Sequence, residues 1–296
     1  MNISKRNVSL AVALALVVIF LIGYSFFIAP PKDFPSGDIV IIAHGMSAPD
    51  VVSELAGAHI ISHSSVLRFI LRISMTSGRI HSGAYRFGSP ENVFVVAYRL
   101  VVGEYGLPLV RITLIDGMTV DEVAAQVADN LPSISASDFI KVATSSEGYL
   151  FPDTYFFPPG TDATTILAAM RANFDSKTAP LSGEISASSH SFSDTIIMAS
   201  LIEKEARTDT DKKIVAGILW NRLALGMPLQ VDADRDTYSH AGLPASPICN
   251  PGLASIEAAL EPTKTAYLYY LTGKDGLMHY ATTFAGHEAN LRKYLD

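Results

Sequence analysis

The first regular feature of the chain is a long apolar run close to its N-terminus. Residues 8–29 are mostly Ala, Val, Leu, Ile and Phe, and the sequence has no charged side chain between Asn7 and Pro31. Because about 20 apolar residues in a helix span the hydrocarbon core of a bilayer, the run predicts a transmembrane helix. The residues at the end of the run have bulky side chains, whereas a signal-peptide cleavage site has small ones, so we expect an uncleaved anchor. Lys5 and Arg6 precede the run, which places the N-terminus in the cytoplasm and the rest of the chain outside it.

A second pattern of apolar and polar positions occurs twice. Residues 42–56 align without gaps with residues 114–128. In each copy an apolar stretch predicts a strand, Gly-Met predicts a turn, and Ser47 or Thr119 is placed to cap an amphipathic helix. A second helix is predicted in each copy, over residues 64–73 and 135–143.

The repeated strand–helix–helix unit resembles the LysM-like modules that bind N-acetylated glycan chains in many exported proteins. The alternative is a repeated packing unit without a ligand. Between the copies, residues 83–87 and 93–102 predict a strand and a helix. Residues 147–160 are rich in aromatic residues and proline and predict an ordered loop, which either contacts sugar rings or anchors a domain junction. Residues 181–193, rich in Ser, Gly and Ala, predict a flexible connection.

Composition narrows the function classes. Of the 296 residues, 49% are hydrophobic and 17% are charged, so the chain has enough apolar content to fold. The net charge of −7, without a cluster of Lys and Arg, argues against a nucleic-acid partner. Cys249 is the single cysteine, so the chain offers no intramolecular disulfide and no thiolate cluster for a metal.

One carboxylate is a candidate for chemistry. Residues 195–207 have a helical pattern, and Glu205 lies on its apolar stripe, three and four residues after Ile202 and Leu201. Burial and a helix C-terminus both disfavour the charged form, so we expect a raised pKa, which a general acid needs at neutral pH. The alternative is that the helix ends at Glu205 and the side chain reaches solvent.

The neighbouring Glu203 points to the other face of this helix. It shares that face with Ser200 and Arg207, where a carboxylate is solvated or paired. Ser193 and Thr210 are the predicted N-caps of this helix and of the next one.

The next helix is predicted over residues 211–225 and should pack against the first one. Residues 227–238 then place many polar groups behind it. Acids crowded in a loop are usually solvated, and the spacing is not that of a calcium loop, so we expect no metal.

In total these motifs resemble the YceG-like family of endolytic murein transglycosylases. The resemblance covers nearly the whole chain and rests on residues 83–87, 117–119, 147–155, 199–206, 215–217, 221–223, 226–232, 242–244, 250–252 and 267–269.

The resemblance implies an enzyme anchored in the inner membrane that cuts glycan strands of peptidoglycan internally. It would cleave the bond between N-acetylmuramic acid and N-acetylglucosamine, leave a 1,6-anhydro end and need no cofactor. Glu205 matches the catalytic glutamate and would act first as acid and then as base. The substrate-binding candidates are Gln230, Asp232, Tyr238, Asn250, Glu203 and Arg222. Whether a peptidoglycan synthase is a partner stays open.

Two features depart from the family pattern. The segment between Tyr238 and Gly242 is short, which predicts a cleft with one wall cut back. His279 and His287 resemble a closing motif, but with altered spacing, and we interpret both as structural.

The expected fold is α+β with three parts: an anchor (1–31), paired LysM-like modules (32–145) and a mixed helical and β catalytic domain (146–296). Two other functions stay open. One is a non-catalytic peptidoglycan-binding scaffold. The other is a muramidase that hydrolyses the same bond, with Asp232 or Asp234 as its second carboxylate.

Overall fold

The structure, a computed structural model, describes residues 5–43, 45–73 and 80–295, with side chains from residue 13 onward. It is a mixed α+β fold. The helices are α1 (Lys5–Phe27), α2 (Ala48–Gly57), α3 (Ser64–Ile73), α4 (Val93–Val102), α5 (Val120–Asn130), α6 (Ala136–Ala143), α7 (Ala163–Thr178), α8 (Ser182–Ala187), α9 (Phe192–Glu205), α10 (Asp209–Ala224), α11 (Leu253–Leu260) and α12 (Phe284–Tyr294). The strands are β1 (Ile39–Ile42), β2 (Gly83–Arg86), β3 (Val110–Thr113), β4 (Thr154–Phe157), β5 (Tyr269–Thr272) and β6 (Met278–Ala281). They pair as β1–β2, β3–β4 and β5–β6.

The chain forms two compact units. The first contains the chain up to Val110 together with Phe156–Asp162, and the second contains Arg111–Tyr155 and the chain from Ala163 onward. The first strand–helix–helix copy therefore lies in the first unit, and almost all of the second copy lies in the second. The predicted division of functions at residue 145 stays a prediction.

In the first unit, an antiparallel β1–β2 pair packs with α2, α3 and α4. Ile39 lies opposite Arg86, and Ile42 lies opposite Gly83. Ser47 caps α2 in a capping box with Asp50, as the sequence predicts. The core consists of fully or almost fully buried side chains that include Leu55, Leu67, Tyr85, Phe87 and Leu100.

The N-terminal apolar run forms α1. Its described side chains are largely exposed, for example Leu14 and Phe20 at 66% and 68%. Within the described ranges, none of the helices is both long and apolar enough to cross a membrane. The predicted transmembrane anchor is therefore not confirmed.

The second unit begins with the second copy of the repeat. Thr119 caps α5, as predicted, in a capping box with Glu122, and Ser135 caps α6. The core of this unit is built from α9, α10 and α11, with Leu201, Leu219 and Ile256 fully buried between them. The antiparallel β5–β6 hairpin contacts this core through Tyr270, Met278 and Tyr280, and α12 packs on the hairpin.

Several local predictions are corrected. The caps of α9 and α10 are Ser191 and Thr208, so each helix begins a few residues earlier than predicted. Both side chains accept a hydrogen bond from the main chain three residues later, which the predicted caps Ser193 and Thr210 cannot do from inside the helix. Residues 154–157 of the predicted loop form β4, and residues 182–187 of the predicted flexible connection form α8.

Candidate active site

Glu205 is the last residue of α9, and its position follows from the packing of that helix. Ile196 to Ile202 are buried along α9, and the main chain turns extended at Ala206. Oε1 of Glu205 accepts a hydrogen bond from the main-chain N–H of Asp232 over 3.1 Å. The side chain is half-buried rather than free at a rim, so the structure supports the expectation from the apolar stripe.

The surroundings of Glu205 raise the pKa of its carboxyl group. The largest cause is burial, and the nearby negative charge of Asp232 adds to it. The nearby hydroxyl of Tyr270 and the hydrogen bond from the Asp232 main chain act in the opposite direction and offset part of the shift. A carboxyl group with a raised pKa keeps its proton at higher pH, which is the state that a general acid needs.

Two cavities meet at Glu205. The first has a volume of about 720 Å³ and the second about 540 Å³, and Glu205, Asp232 and Thr272 line both. The other residues of the first cavity that matter here are Arg222, Gln230, Tyr238, Tyr269, Tyr270, Phe284 and His287. An extended chain could therefore pass Glu205 with room on either side of the carboxyl group.

The first cavity contains four of the six predicted substrate-binding residues, and they form two hydrogen-bonded pairs. Arg222 is 4% exposed and donates from Nη2 to Oε1 of Gln230 over 3.0 Å. Its other donors are used by the main-chain oxygens of Leu268 and Leu229. Arg222 thus supports the cavity wall and orients Gln230.

The loop after α10 carries the remaining two of these four residues. The hydroxyl of Tyr238 donates to Oδ1 of Asp232 over 2.5 Å, and this bond raises the pKa of Tyr238 to about 12. A bridge between Pro228 and Ala241 closes the loop at its base. Asp232 and Tyr238 are both exposed, so a ligand can reach them.

Glu203, another predicted substrate-binding residue, lines the second cavity, and its carboxylate is engaged by contacts within the protein. Its side chain is 8% exposed and pairs with Lys212 over 3.0 Å. The other carboxylate oxygen accepts hydrogen bonds from Gly252 and Ser255. The predicted outward face of α9 is covered by α11, which explains why the carboxylate is paired rather than solvated.

Asn250, unlike Glu203, lines neither of the two cavities. Its side chain is 1% exposed and binds the main chain at Leu150 and Met118, as well as Glu147. Asn250 thus holds together distant segments of the second unit. Its place in the motif at residues 250–252 does not reveal this role.

Two further cavity residues, Tyr269 and Tyr270, were not among the predicted site residues. They begin β5, and both line the first cavity. Tyr269 stacks on His287 at 5.5 Å and lies under the guanidinium of Arg222 at 5.3 Å. The Tyr267–Tyr269 motif was a signal for this wall, but it gave no indication of which ring faces the cavity.

The two histidines have different positions. His279 bonds Asp275 at 3.0 Å and stacks on Tyr294 at 3.4 Å, as a structural residue would. His287 lines the first cavity, and burial lowers its pKa. Among the residues that the structure describes, no three side chains are grouped as a metal site would need.

Asp234, one candidate for a second catalytic carboxylate, lies outside both cavities at Glu205. It caps the short 3₁₀ helix at residues 235–238, and Oδ1 accepts from the N–H of Asp236. It lines a separate cavity together with Thr237, His240 and Leu243. Of the two candidates, only Asp232 is beside Glu205.

The site thus consists of a half-buried carboxyl group with a raised pKa between two cavities with polar and aromatic walls. Comparison with known proteins gives the family. The YceG-like family model matches residues 40–236 and 234–293, and the chain belongs to this family.

Its relatives agree with this assignment. A Bacillus subtilis protein named endolytic murein transglycosylase is 27% identical over 94% of this chain and 90% of its own length. A Streptococcus pneumoniae protein of the same name is 23% identical over 86% of this chain and 58% of its own length. The crystal structure of a YceG-like protein from Listeria monocytogenes superposes with a TM-score of 0.56 at 25% identity, over 86% of this chain and 99% of that one.

Proposed function

We propose that this protein is an endolytic lytic transglycosylase that cleaves glycan strands of peptidoglycan. The observation that carries the proposal is the half-buried carboxyl group of Glu205, with its raised pKa, at the meeting point of two cavities. An enzyme that cuts within a strand must hold sugars on both sides of the broken bond, and this arrangement provides room for both. The names of the relatives support the same activity.

In the proposed reaction one carboxyl group acts twice. Protonated Glu205 gives its proton to the oxygen of the bond between N-acetylmuramic acid and N-acetylglucosamine, and the bond between that oxygen and C1 breaks. The C6 hydroxyl oxygen of the muramic acid then bonds to C1, and the carboxylate of Glu205 takes the proton of this hydroxyl. The product is a 1,6-anhydro end, no water is consumed, and Glu205 is protonated again.

Other residues of the first cavity would stabilise the reaction. Gln230, oriented by Arg222, and the pair of Asp232 and Tyr238 present polar groups close to Glu205. Positive charge develops at C1 in an oxocarbenium-like transition state, and the carboxylate of Asp232 is placed to stabilise it. The rings of Tyr269 and Phe284 offer apolar surface for sugar rings.

The test is Glu205→Gln in the full chain. The variant keeps the size and the polarity of the side chain but cannot transfer a proton, so release of anhydro-ended fragments from purified peptidoglycan should fall about 10³-fold or more. Glu261→Gln, at an exposed position outside both cavities, is the matched control and should retain wild-type activity. Wild-type activity in Glu205→Gln would contradict the assignment.

We also propose that α1 anchors the protein in the inner membrane with the two units outside the cytoplasm. The uncharged sequence of α1 after Arg6 and its exposed apolar side chains support the anchor, and the charge bias of the N-terminus supports the orientation. Alkaline carbonate extraction should leave the protein with the membranes, and added protease should digest it in cells with a permeable outer layer. Recovery in the soluble fraction would contradict the anchor.

A synthase partner and glycan binding by the LysM-like units remain predictions from sequence.

A further inference from the structure

Tyr270 brings an uncommitted polar group to the proposed active site. It is the second residue of β5, and its hydroxyl is buried without a hydrogen bond of regular geometry in the described part of the chain. A buried donor that lacks a partner costs about 1–3 kcal/mol, so such groups are rare unless a function retains them. The hydroxyl of Tyr270 is therefore available to form a hydrogen bond during the reaction.

The nearest candidate for that partner is Glu205. The hydroxyl of Tyr270 is within interaction range of the Glu205 carboxyl group, where it would lower the pKa of Glu205, and the pKa of Tyr270 is itself raised well above its usual value by burial and by Glu205. An irregular contact with a neutral carboxyl group becomes a strong hydrogen bond when that group is ionised, because a charged acceptor roughly doubles the strength.

Two of the other side-chain donors of the first cavity are already engaged. Arg222 donates to two main-chain oxygens and to Gln230, and Tyr238 donates to Asp232. The main-chain N–H of Asp232 already bonds Oε1 of Glu205. These contacts leave Tyr270 as a side-chain donor that can respond to the charge on Glu205.

The remaining charged or titratable groups near Glu205 come from several elements. In the first cavity they are Asp232 and Tyr238 from the loop, Arg222 from α10, Tyr269 from β5 and His287 from α12. In the second cavity they are Glu203 and Lys204 from α9, Arg207 from the following turn and Asp211 from α10. A substitution at Tyr270 leaves all of them in place.

We propose that Tyr270 is a positioning residue that donates its hydroxyl hydrogen bond to the carboxylate of Glu205 after Glu205 has given up its proton. This inference rests on the proposed function. The bond holds the carboxylate in place between the two proton transfers, so that the same group can accept the proton of the attacking hydroxyl. It also stabilises the negative charge that develops on Glu205 in the first step.

The experiment is Tyr270→Phe in the full chain, compared with Tyr267→Phe. Tyr267 lies two residues before β5 and outside the first cavity. Tyr267→Phe removes the same hydroxyl group and keeps the aromatic ring, so it is the matched control. The rate of anhydro-end formation is measured against pH at saturating and at low concentrations of glycan strands. Because the lost bond stabilised the charged form, the alkaline limit of activity should move up by about one pH unit in Tyr270→Phe. The maximal rate should fall about tenfold with KM unchanged, and Tyr267→Phe should match the wild type.

Two results would overturn the inference. An unchanged alkaline limit would show that Tyr270 does not act on Glu205, and a raised KM at an unchanged limit would indicate direct contact with the sugar. If Tyr270→Phe fails to fold, 3-fluorotyrosine placed at residue 270 gives the opposite test. Its more acidic hydroxyl is a stronger donor and should move the limit to lower pH, and no movement would again contradict the inference. Absence of anhydro products from the wild type would instead refute the proposed function.

Discussion

The main-chain N–H of Asp232 donates a hydrogen bond of 3.1 Å to Oε1 of Glu205. This contact ties the last residue of α9 to the loop that follows α10. The loop is fixed in turn by Gln230, whose N–H donates to the carbonyl of Thr237 and whose φ is +54°. Such a φ is uncommon for a residue other than glycine, and the surrounding hydrogen bonds stabilise it. The acid is thus held by a rigid main-chain frame.

Removal of the charge at Glu205 should stabilise the fold in a pH-dependent way. The folded pKa of Glu205 is raised, so the folded state binds more protons than the unfolded state, and wild-type stability falls as pH rises from about 4.5 through the folded pKa. Glu205→Gln has no carboxyl group to ionise at this position, so its stability does not fall in this way. We expect its unfolding free energy to exceed that of the wild type by a growing margin over this window, measured by urea denaturation at several pH values. A margin that stays constant with pH would contradict the raised pKa.

The buried pair of Glu203 and Lys212 should be important for stability. Lys212 is 7% exposed, and its loss in Lys212→Met would leave the Glu203 carboxylate buried without its ion partner. We expect a loss of about 3 kcal/mol or more in unfolding free energy. The control is Lys141→Met in the exposed pair with Asp138, where the expected loss is below about 1 kcal/mol. Equal effects of the two substitutions would contradict the structural role of Glu203.

Gly217 of α10 is predicted to tolerate no side chain. A Cβ atom there would lie 2.2 Å from the main-chain oxygen of Thr263, which is shorter than any real contact. Gly217→Ala should therefore lower the unfolding free energy by about 1–3 kcal/mol, although alanine favours helices. Gly183→Ala, in α8 with open space around the Cβ position, should be neutral or stabilising. Thermal unfolding of the two variants measures the difference.

Much of the local structure could be predicted from the sequence. The capping boxes at Ser47 and Thr119 are short-range features, and the bounds of α3 and α4 follow from apolar periodicity. Glu205 was found in the same way, because its place on the apolar stripe of a helix is a local property.

The tertiary roles of polar residues could not be predicted in this way. Glu203 and Asn250 lie in family motifs, but their partners Lys212, Gly252 and Met118 come from other elements, and only the folded packing shows that they are buried. Tyr270 was missed for the same reason. Two adjacent tyrosines in a strand usually face opposite sides, and here both contribute to one cavity wall.

The most direct test of the central claim is the chemistry of the new strand end. The full-length wild-type protein is incubated with purified peptidoglycan in water enriched in ¹⁸O, and the released fragments are analysed by mass spectrometry. Transglycosylation through Glu205 predicts 1,6-anhydromuramic ends without ¹⁸O, and these should disappear in Glu205→Gln. Reducing ends that carry ¹⁸O would contradict the account and indicate a hydrolase, with Asp232 as the next residue to substitute.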